Sequence, residues 1–507
     1  MAQNIELNSS KTLVLLRQLD KKELKQLGLW LQSPVHNKSE KVIQLYECIK
    51  SKYLKKENTI NAYVLLKTIG VLQSASRQNN ITPHHKKQLQ QTMHLLNTQI
   101  QDFLMWQYIR TDDIRAMQNT MDAMFVKKIY AFIPPLLHKT KTDLMASPIR
   151  NILHYERALD LTELDYFLQN IYQNRSLDSG LQLVIENLRQ AFLSKSLLYY
   201  CVAINREKIL KVGYEYPFLK YIKSYLEVSD VDTEVPPIRV YYTLLKLLEA
   251  GNTKDYYDLK NYLFTHLDCF ELTDIRYLFN FISNYTIGKV REGKHEFVQE
   301  RFDLFDKGIE LKCWTSGIYF SEHQFVHVVK TALELGKMDW LNTFFQTHKD
   351  LLNPNVKDVF VNYYHALVSF HDHKFDKAQA YLGGIHTSED FTYFIQFKIL
   401  YIKIYYDKND ITFSNVDTHQ INYEMEALRQ YLLEGNNKNM AESTRLLYSN
   451  FTNFFRRILN RKKKLLYDES VTKANFQSLQ QDLAEIAPLI ERSWLEEKIE
   501  ELVLLTE

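Results

Sequence analysis

The chain has 507 residues, 63 Lys+Arg against 61 Asp+Glu, 45% hydrophobic residues, and only 13 Gly and 10 Pro. So few breakers exclude large strand-rich or doubly wound domains, which need glycine at hairpins, phosphate loops and tight crossovers. A formal net charge of +2 excludes both a global field for gathering a polyanion and the self-repulsion of a disordered acidic chain.

From the start, MAQNIELNSSKTLVLLRQLDKK holds only a four-residue apolar stretch, Leu13 to Leu16, with no basic segment before it. That pattern is not a secretory signal. Nowhere does an apolar run approach the roughly 18 residues that a bilayer requires; even Tyr393 to Tyr406 carries Lys398 and Lys403. A cytoplasmic protein without a membrane partner is expected.

Helix starts recur along the chain. Asp20 with Glu23, Asn37 with Glu40, Asp160 with Glu163, and Ser321 with Gln324 have the spacing at which two side chains exchange bonds with the first-turn amides. Thr82 before Pro83 is a further start, because proline at the first helical position loses only an amide that has no partner anyway. Pro134-Pro135 and the acidic segment Val228 to Pro237 interrupt the helical pattern. They suggest regions 1–134, 135–237, 238–435 and 436–507.

Beyond residue 238 the short polar turns Gly251-Asn252, Glu292-Gly293, Gly336-Lys337, Asp372-His373 and Asn409-Asp410 follow at intervals of 42, 43, 36 and 37 residues. Two antiparallel helices with their turns occupy this length, and such pairs stack because neither helix can bury its apolar stripe alone. Near the end, Leu447, Phe451, Phe454, Ile458 and Leu465 form one buried stripe opposite Arg456, Asn460, Lys463 and Lys464.

The clearest unit, VFVNYYHALVSFHDHKFDKAQAYLGGI at Val359 to Ile385, resembles a tetratricopeptide repeat. Ala366 matches the small residue of the first helix, Phe375 the aromatic opening the second, and Ala378 and Leu382 the close-packing positions after it. Leu333 to Phe345 repeats the turn and aromatic pattern without the second alanine, and Lys398 to Asp410 looks like another first helix. The tryptophan early in the first helix is missing, and alanine replaces the repeat's glycine. LDKKELKQLGLWLQSPVHNKSEKVIQLYE, RFDLFDKGIE, the GKMDW turn and ILYIKIYYDKND, in that order, are also similar to a recurrent group of uncharacterised helical-repeat proteins of the Bacteroidetes, a likeness that implies no activity. The resemblance implies an all-α fold: stacked antiparallel helix hairpins forming a curved TPR-like solenoid with an N-terminal helical extension. In its register Tyr363, Leu367 and Phe370 face a concave partner-binding groove.

Familiar chemistries find little material. Cys48, Cys201, Cys269 and Cys313 are far apart, which argues against zinc ribbons, redox pairs and disulfide frameworks. His323 and His327 have metal-ligand spacing on a helix, but Lys330 and Glu334 share their stripe and no third ligand is evident. His371, Asp372 and His373 fall in a turn, where polar residues belong structurally. No phosphate loop, dinucleotide fingerprint or nucleophile elbow is present, so no catalytic residue, metal or cofactor is expected. The basic run Arg456, Arg457, Arg461, Lys462, Lys463 and Lys464 offers either a solvated helix face or a phosphate-binding side. The 33 tyrosines, several in adjacent pairs, suit half-wet positions between repeats. A non-enzymatic adaptor or scaffold holding a protein or peptide in its concave groove is the leading expectation. Nucleic-acid binding through the 456–464 face is the alternative, followed by an enzyme of unfamiliar type and a self-assembling module.

Overall fold

A computed structural model describes residues 11–52, 54, 61–72, 81–171, 179–209, 212–385, 391–408, 415–433, 442–467 and 473–505. The described residues are almost all helical, and the chain divides into two compact units, Met1–Ala146 and Ser147–Glu507.

In the first unit α1 (Lys11–Gln18), α2 (Lys21–Gln32), α3 (Glu40–Lys52) and α4 (Ala62–Thr68) all pack on the 28-residue α5 (Pro83–Arg110). Leu16, Leu31, Leu45, Ile49, Leu65 and Leu96 are fully buried between them. Trp30 closes one end, stacking on His36 at 3.5 Å and donating from Nε1 to Gln99 Oε1 at 3.2 Å. α6 (Asp113–Val126) and α7 (Ile133–Ala146) pair beyond it.

The local signals act where only neighbours are needed. Glu23 donates its amide to Asp20 Oδ1 at 2.8 Å, and Asp20 returns its own to Glu23 Oε2 at 2.8 Å. Thr82 caps α5 with Pro83 in the first turn, and His85 takes the reciprocal role. Asn37 instead holds the loop before α3, accepting from the Ser39 amide at 3.0 Å and donating to Leu31 O at 2.9 Å. Pro134 and Pro135 lie within the first turn of α7, so the helix continues through them and the unit boundary follows Ala146.

The second unit begins with the hairpin of α8 (Ile152–Ile171) and α9 (Ser179–Ile209). Asp160 and Glu163 lie inside α8, whose start is set by Asn151 Oδ1 accepting from the His154 amide at 3.1 Å. α10 (Leu219–Leu226) and α11 (Asp230–Thr233) lead to α12 (Pro236–Ala250), which packs back on α9. The acidic stretch before α12 is therefore no tether, and no boundary falls at 237. Asp232 is fully buried there, paired with Arg189 at 3.0 Å and accepting from Ser229 Oγ at 3.1 Å.

Helix pairs then follow in sequence: α12 with α13 (Thr253–Thr265), α14 (Leu272–Arg291) with α15 (Glu296–Glu310), and α16 (Glu322–Glu334) with α17 (Met338–His348). α18 (Lys357–His371) with α19 (Phe375–Gly383) and α20 (Phe391–Lys408) with α21 (Asn415–Leu433) continue the series. The expected turns join four of these pairs through left-handed residues, Gly251, Gly293, Gly336 and His373; Asn409-Asp410 lies outside the described residues. Ala366 and Ala378 are fully buried where α18 meets α19, since alanine lets paired helices approach closely. Ser321 caps α16, but Gln324 reaches away to Asn280 Oδ1 at 3.2 Å instead of returning the bond.

α22 (Glu442–Tyr467), α23 (Lys473–Glu485) and α24 (Arg492–Leu504) end the chain. Their core does not start at 436. α20 gives Phe397, Leu400 and Ile404 to the large core of this unit and Ile395, Ile399, Ile402 and Tyr406 to the terminal one. α22 also packs on α9, with Ser443 Oγ donating to Lys208 O at 3.0 Å.

One small feature escaped the helical pattern, a hairpin pairing Thr315–Ser316 with Tyr319–Phe320 around Gly317 at φ 61°. It seats Trp314, 2% exposed, whose Nε1 donates to Phe305 O at 3.0 Å. A Cβ at Gly308 would lie 2.3 Å from the indole nitrogen. Gly308→Ala should therefore destabilise the second unit by about 1–3 kcal/mol through overpacking, measurable as a lowered midpoint in urea.

Candidate functional site

The register that places Tyr363, Leu367 and Phe370 on one side of α18 leads to an interior, not to an open groove. Tyr363 is 1% and Leu367 7% exposed, and both belong to the large core. The Tyr363 ring meets Phe397 edge-on at 4.8 Å, and half-buried Phe370 lies under Lys403, whose Nζ is 5.0 Å from the ring centroid. Burial leaves Tyr363 and Leu367 little surface for a partner, while Phe370 stays half-buried. What covers this side is the chain's own C-terminal segment.

At the centre stands Glu491, which opens α24 with a left-handed φ of 52°. Its carboxylate accepts from Lys330 Nζ of α16 at 2.9 Å and from Lys403 Nζ of α20 at 2.6 Å. Burial works to raise the Glu491 carboxyl, but the two ammonium groups outweigh it and hold the group far below the usual carboxylate range. The same attraction overcomes burial at Lys330 and lifts its pKa. Burial pushes the Tyr363 hydroxyl up to about 12.

Further pairs tie the segment down. Glu334 accepts from Arg301 Nη2 at 2.9 Å and from Ser493 Oγ at 2.9 Å. Asp407 accepts from Trp494 Nε1 at 2.9 Å and lies 3.3 Å from Lys498 Nζ. Arg492 Nη1 donates to Leu483 O at 2.7 Å, and the Leu489 amide donates to Arg291 O at 3.1 Å. His323 and His327 meet edge to face with ring centroids 4.5 Å apart. Burial, then the field of His323, Arg291, Arg301 and Lys330, holds His327 well below its ordinary value of 6.5. Among the described residues no group of three or more His, Cys, Asp or Glu is placed to hold a metal ion. Asp372 pairs with Lys374 at 2.8 Å in its turn.

The basic run on α22 is divided by its neighbours. Arg457 pairs with Asp482, Arg461 donates to Ser478 Oγ at 2.9 Å, and Lys462 sits 4.2 Å over the Tyr406 ring. Arg456 and Lys464 are exposed and Lys463 is half-buried. Three of the six cations are thus engaged within the fold. Cys48, Cys201 and Cys313 are buried and Cys269 is half-buried. Of the adjacent tyrosine pairs, exposed Tyr199 neighbours half-buried Tyr200 and buried Tyr256 neighbours half-buried Tyr257, whereas both rings are buried at Tyr241-Tyr242 and Tyr363-Tyr364.

A surface that motif reasoning missed lies on α9. Leu181, Ile185, Leu188, Phe192 and Tyr199 recur at helical spacing and are 39%, 48%, 51%, 50% and 60% exposed. Its antiparallel neighbour α8 presents Asp160, Glu163, Phe167 and Ile171 on one exposed row. The missed signal was a helix apolar on two sides, one for the core and one left over.

No protein-family model, curated protein or solved structure matches the chain. Among the described residues no helix is long and apolar enough to cross a membrane.

Two outcomes follow from the Glu491 cluster. Glu491→Gln leaves two half-buried lysines without their counter-charge and should destabilise the second unit by about 1–3 kcal/mol, read as a shifted denaturation midpoint. Acid should act in two windows. His327 has a lowered folded pKa, so the unfolded state binds the proton first and stability falls as pH drops below 6.5. Glu491 is also lowered, so its contribution is complete above its ordinary 4.5 and is lost beneath that. His327→Gln should flatten the first window by up to about 1.4 kcal/mol per pH unit and leave the second, in denaturation series at stepped pH.

Proposed function

We propose that the chain is a non-enzymatic helical adaptor that binds a protein partner, and that the docking surface is the outer stripe of α9 in place of the concave groove. The exposed row Leu181, Ile185, Leu188, Phe192 and Tyr199 supports this reading. An apolar stripe on a rigid helix, here interrupted between Phe192 and Tyr199 by exposed Lys195 in its ion pair with Glu156 of α8, can seat an apolar helix face whose anchors repeat at the same spacing. Exposed Glu163 on the neighbouring helix favours a partner with basic residues flanking its apolar face, because complementary charge orients and accelerates docking. The occupant is therefore a basic amphipathic helix of another protein.

The test is a fluorescence titration of the full chain with a basic amphipathic helical peptide and with its acidic counterpart of equal hydrophobicity. The basic peptide should bind, more weakly as salt rises. Leu188→Asp with Phe192→Asp should reduce affinity at least ~tenfold with little change in thermal midpoint, because both side chains are half in solvent. Equal binding of the two peptides, retention by the double variant, or a stripe covered instead by a second copy in sedimentation would each overturn the reading.

A further inference from the structure

The turn that joins α6 to α7 in the first unit is apolar and exposed at once. Val126, Ile129 and Phe132 are 78%, 44% and 65% exposed, and Ala131, Pro134 and Pro135 beside them are exposed too. The turn is nonetheless firmly built. The Lys128 amide donates to Phe125 O and the Ile129 amide to Met124 O, each at 2.9 Å, and the Phe125 ring meets Tyr130 edge-on at 5.4 Å. These bonds and the two inner rings hold the backbone, so Val126, Ile129 and Phe132 are left over at the end of a helix hairpin.

Charge around this turn has one sign. From 123 to 142 the sequence carries Lys127, Lys128, Lys139 and Lys141 and no Asp or Glu. Lys127, Lys128 and Lys139 are exposed, and among the described residues they form no ion pair. Lys128 holds a left-handed φ of 59°, so a cation stands where the backbone alone would favour glycine. On α22, by contrast, Arg457 and Arg461 are taken by Asp482 and Ser478. Protruding aliphatic and aromatic side chains flanked by unpaired cations match the boundary of an anionic bilayer. There apolar groups reach the acyl region while lysine ends stay among the phosphate headgroups. A nucleic acid would use the lysines but leave Val126 and Ile129 in water, and a turn at a hairpin's end encloses no free anion.

We propose that the α6–α7 turn docks the chain on the surface of an anionic phospholipid membrane. Val126, Ile129 and Phe132 enter the interface, and Lys127, Lys128 and Lys139 contact headgroups. Such contact needs no membrane-crossing helix, and it replaces the expectation of a chain without a membrane partner. The first unit carries this surface and the second carries the α9 stripe, so either reading can fail without the other.

Co-sedimentation of the full chain with vesicles tests it. Vesicles of equal parts phosphatidylcholine and phosphatidylserine should carry the chain down, less so as salt rises, and phosphatidylcholine alone should not. A lysine near an anionic surface contributes about fivefold, so Lys127→Gln with Lys128→Gln should weaken partitioning at least ~tenfold. Val126→Ser with Phe132→Ser should also weaken it, with its salt dependence kept. All four side chains are exposed, so thermal midpoints should hardly move. Arg456→Gln with Lys464→Gln, exposed cations of α22, should leave partitioning unaltered. Equal loss in that control means diffuse charge attraction and overturns the proposal. Full retention by the serine pair also overturns it, because the lysines would then serve any polyanion, RNA included. If the unaltered chain does not sediment with phosphatidylserine vesicles at low ionic strength, the proposal falls whatever the variants do.

Discussion

The second unit turns on one carboxylate. Glu491 receives two ammonium groups from helices far apart in sequence, Lys330 at 161 residues' separation and Lys403 at 88. Without it, the C-terminal segment would still reach the interior through Ser493, Trp494 and Lys498, but Lys330 and Lys403 would lose the carboxylate they share. A buried pair offers little net gain over well-packed apolar residues, yet loss of one partner is costly. Its main effect is to fix one arrangement, in which α24 lies against the sides of α16 and α20 that stacked hairpins would otherwise leave open.

That arrangement explains why Tyr363 and Leu367 are buried where the repeat resemblance implied an open groove. Tyr363 and Phe370 do point toward the inner polar region, as their register requires. The surface they would offer is already used by Lys330, Lys403 and the residues around Trp494. Apolar area remains exposed after the core is built on the outside of the α8–α9 hairpin.

Legibility followed range. Asp20 with Glu23, Thr82 with Pro83 and the left-handed turns at Gly251, Gly293 and Gly336 need only residues a few positions apart, and sequence alone located them. Ala366 and Ala378 were legible for the same reason, since small residues at helical spacing mark a close crossing. Asp160 and Glu163 misled because a capping pattern inside a strongly apolar helix costs less to ignore than a broken helix would. The Glu491 cluster had a faint trace, lysines at 330 and 403 within otherwise apolar helices, but no local rule connects them to a glutamate near the chain's end. Burial of Tyr363 was equally hidden, because it depends on which distant segment arrives to cover it.

α20 gives one row of side chains to the large core and another to the terminal core. A rod shared in this way acts as a common beam between two rooms: neither room can be dismantled while the beam stays seated in the other. The final third of the second unit consequently belongs to the same melting event as its middle, and loosening at the chain's end is transmitted to the hairpins before it.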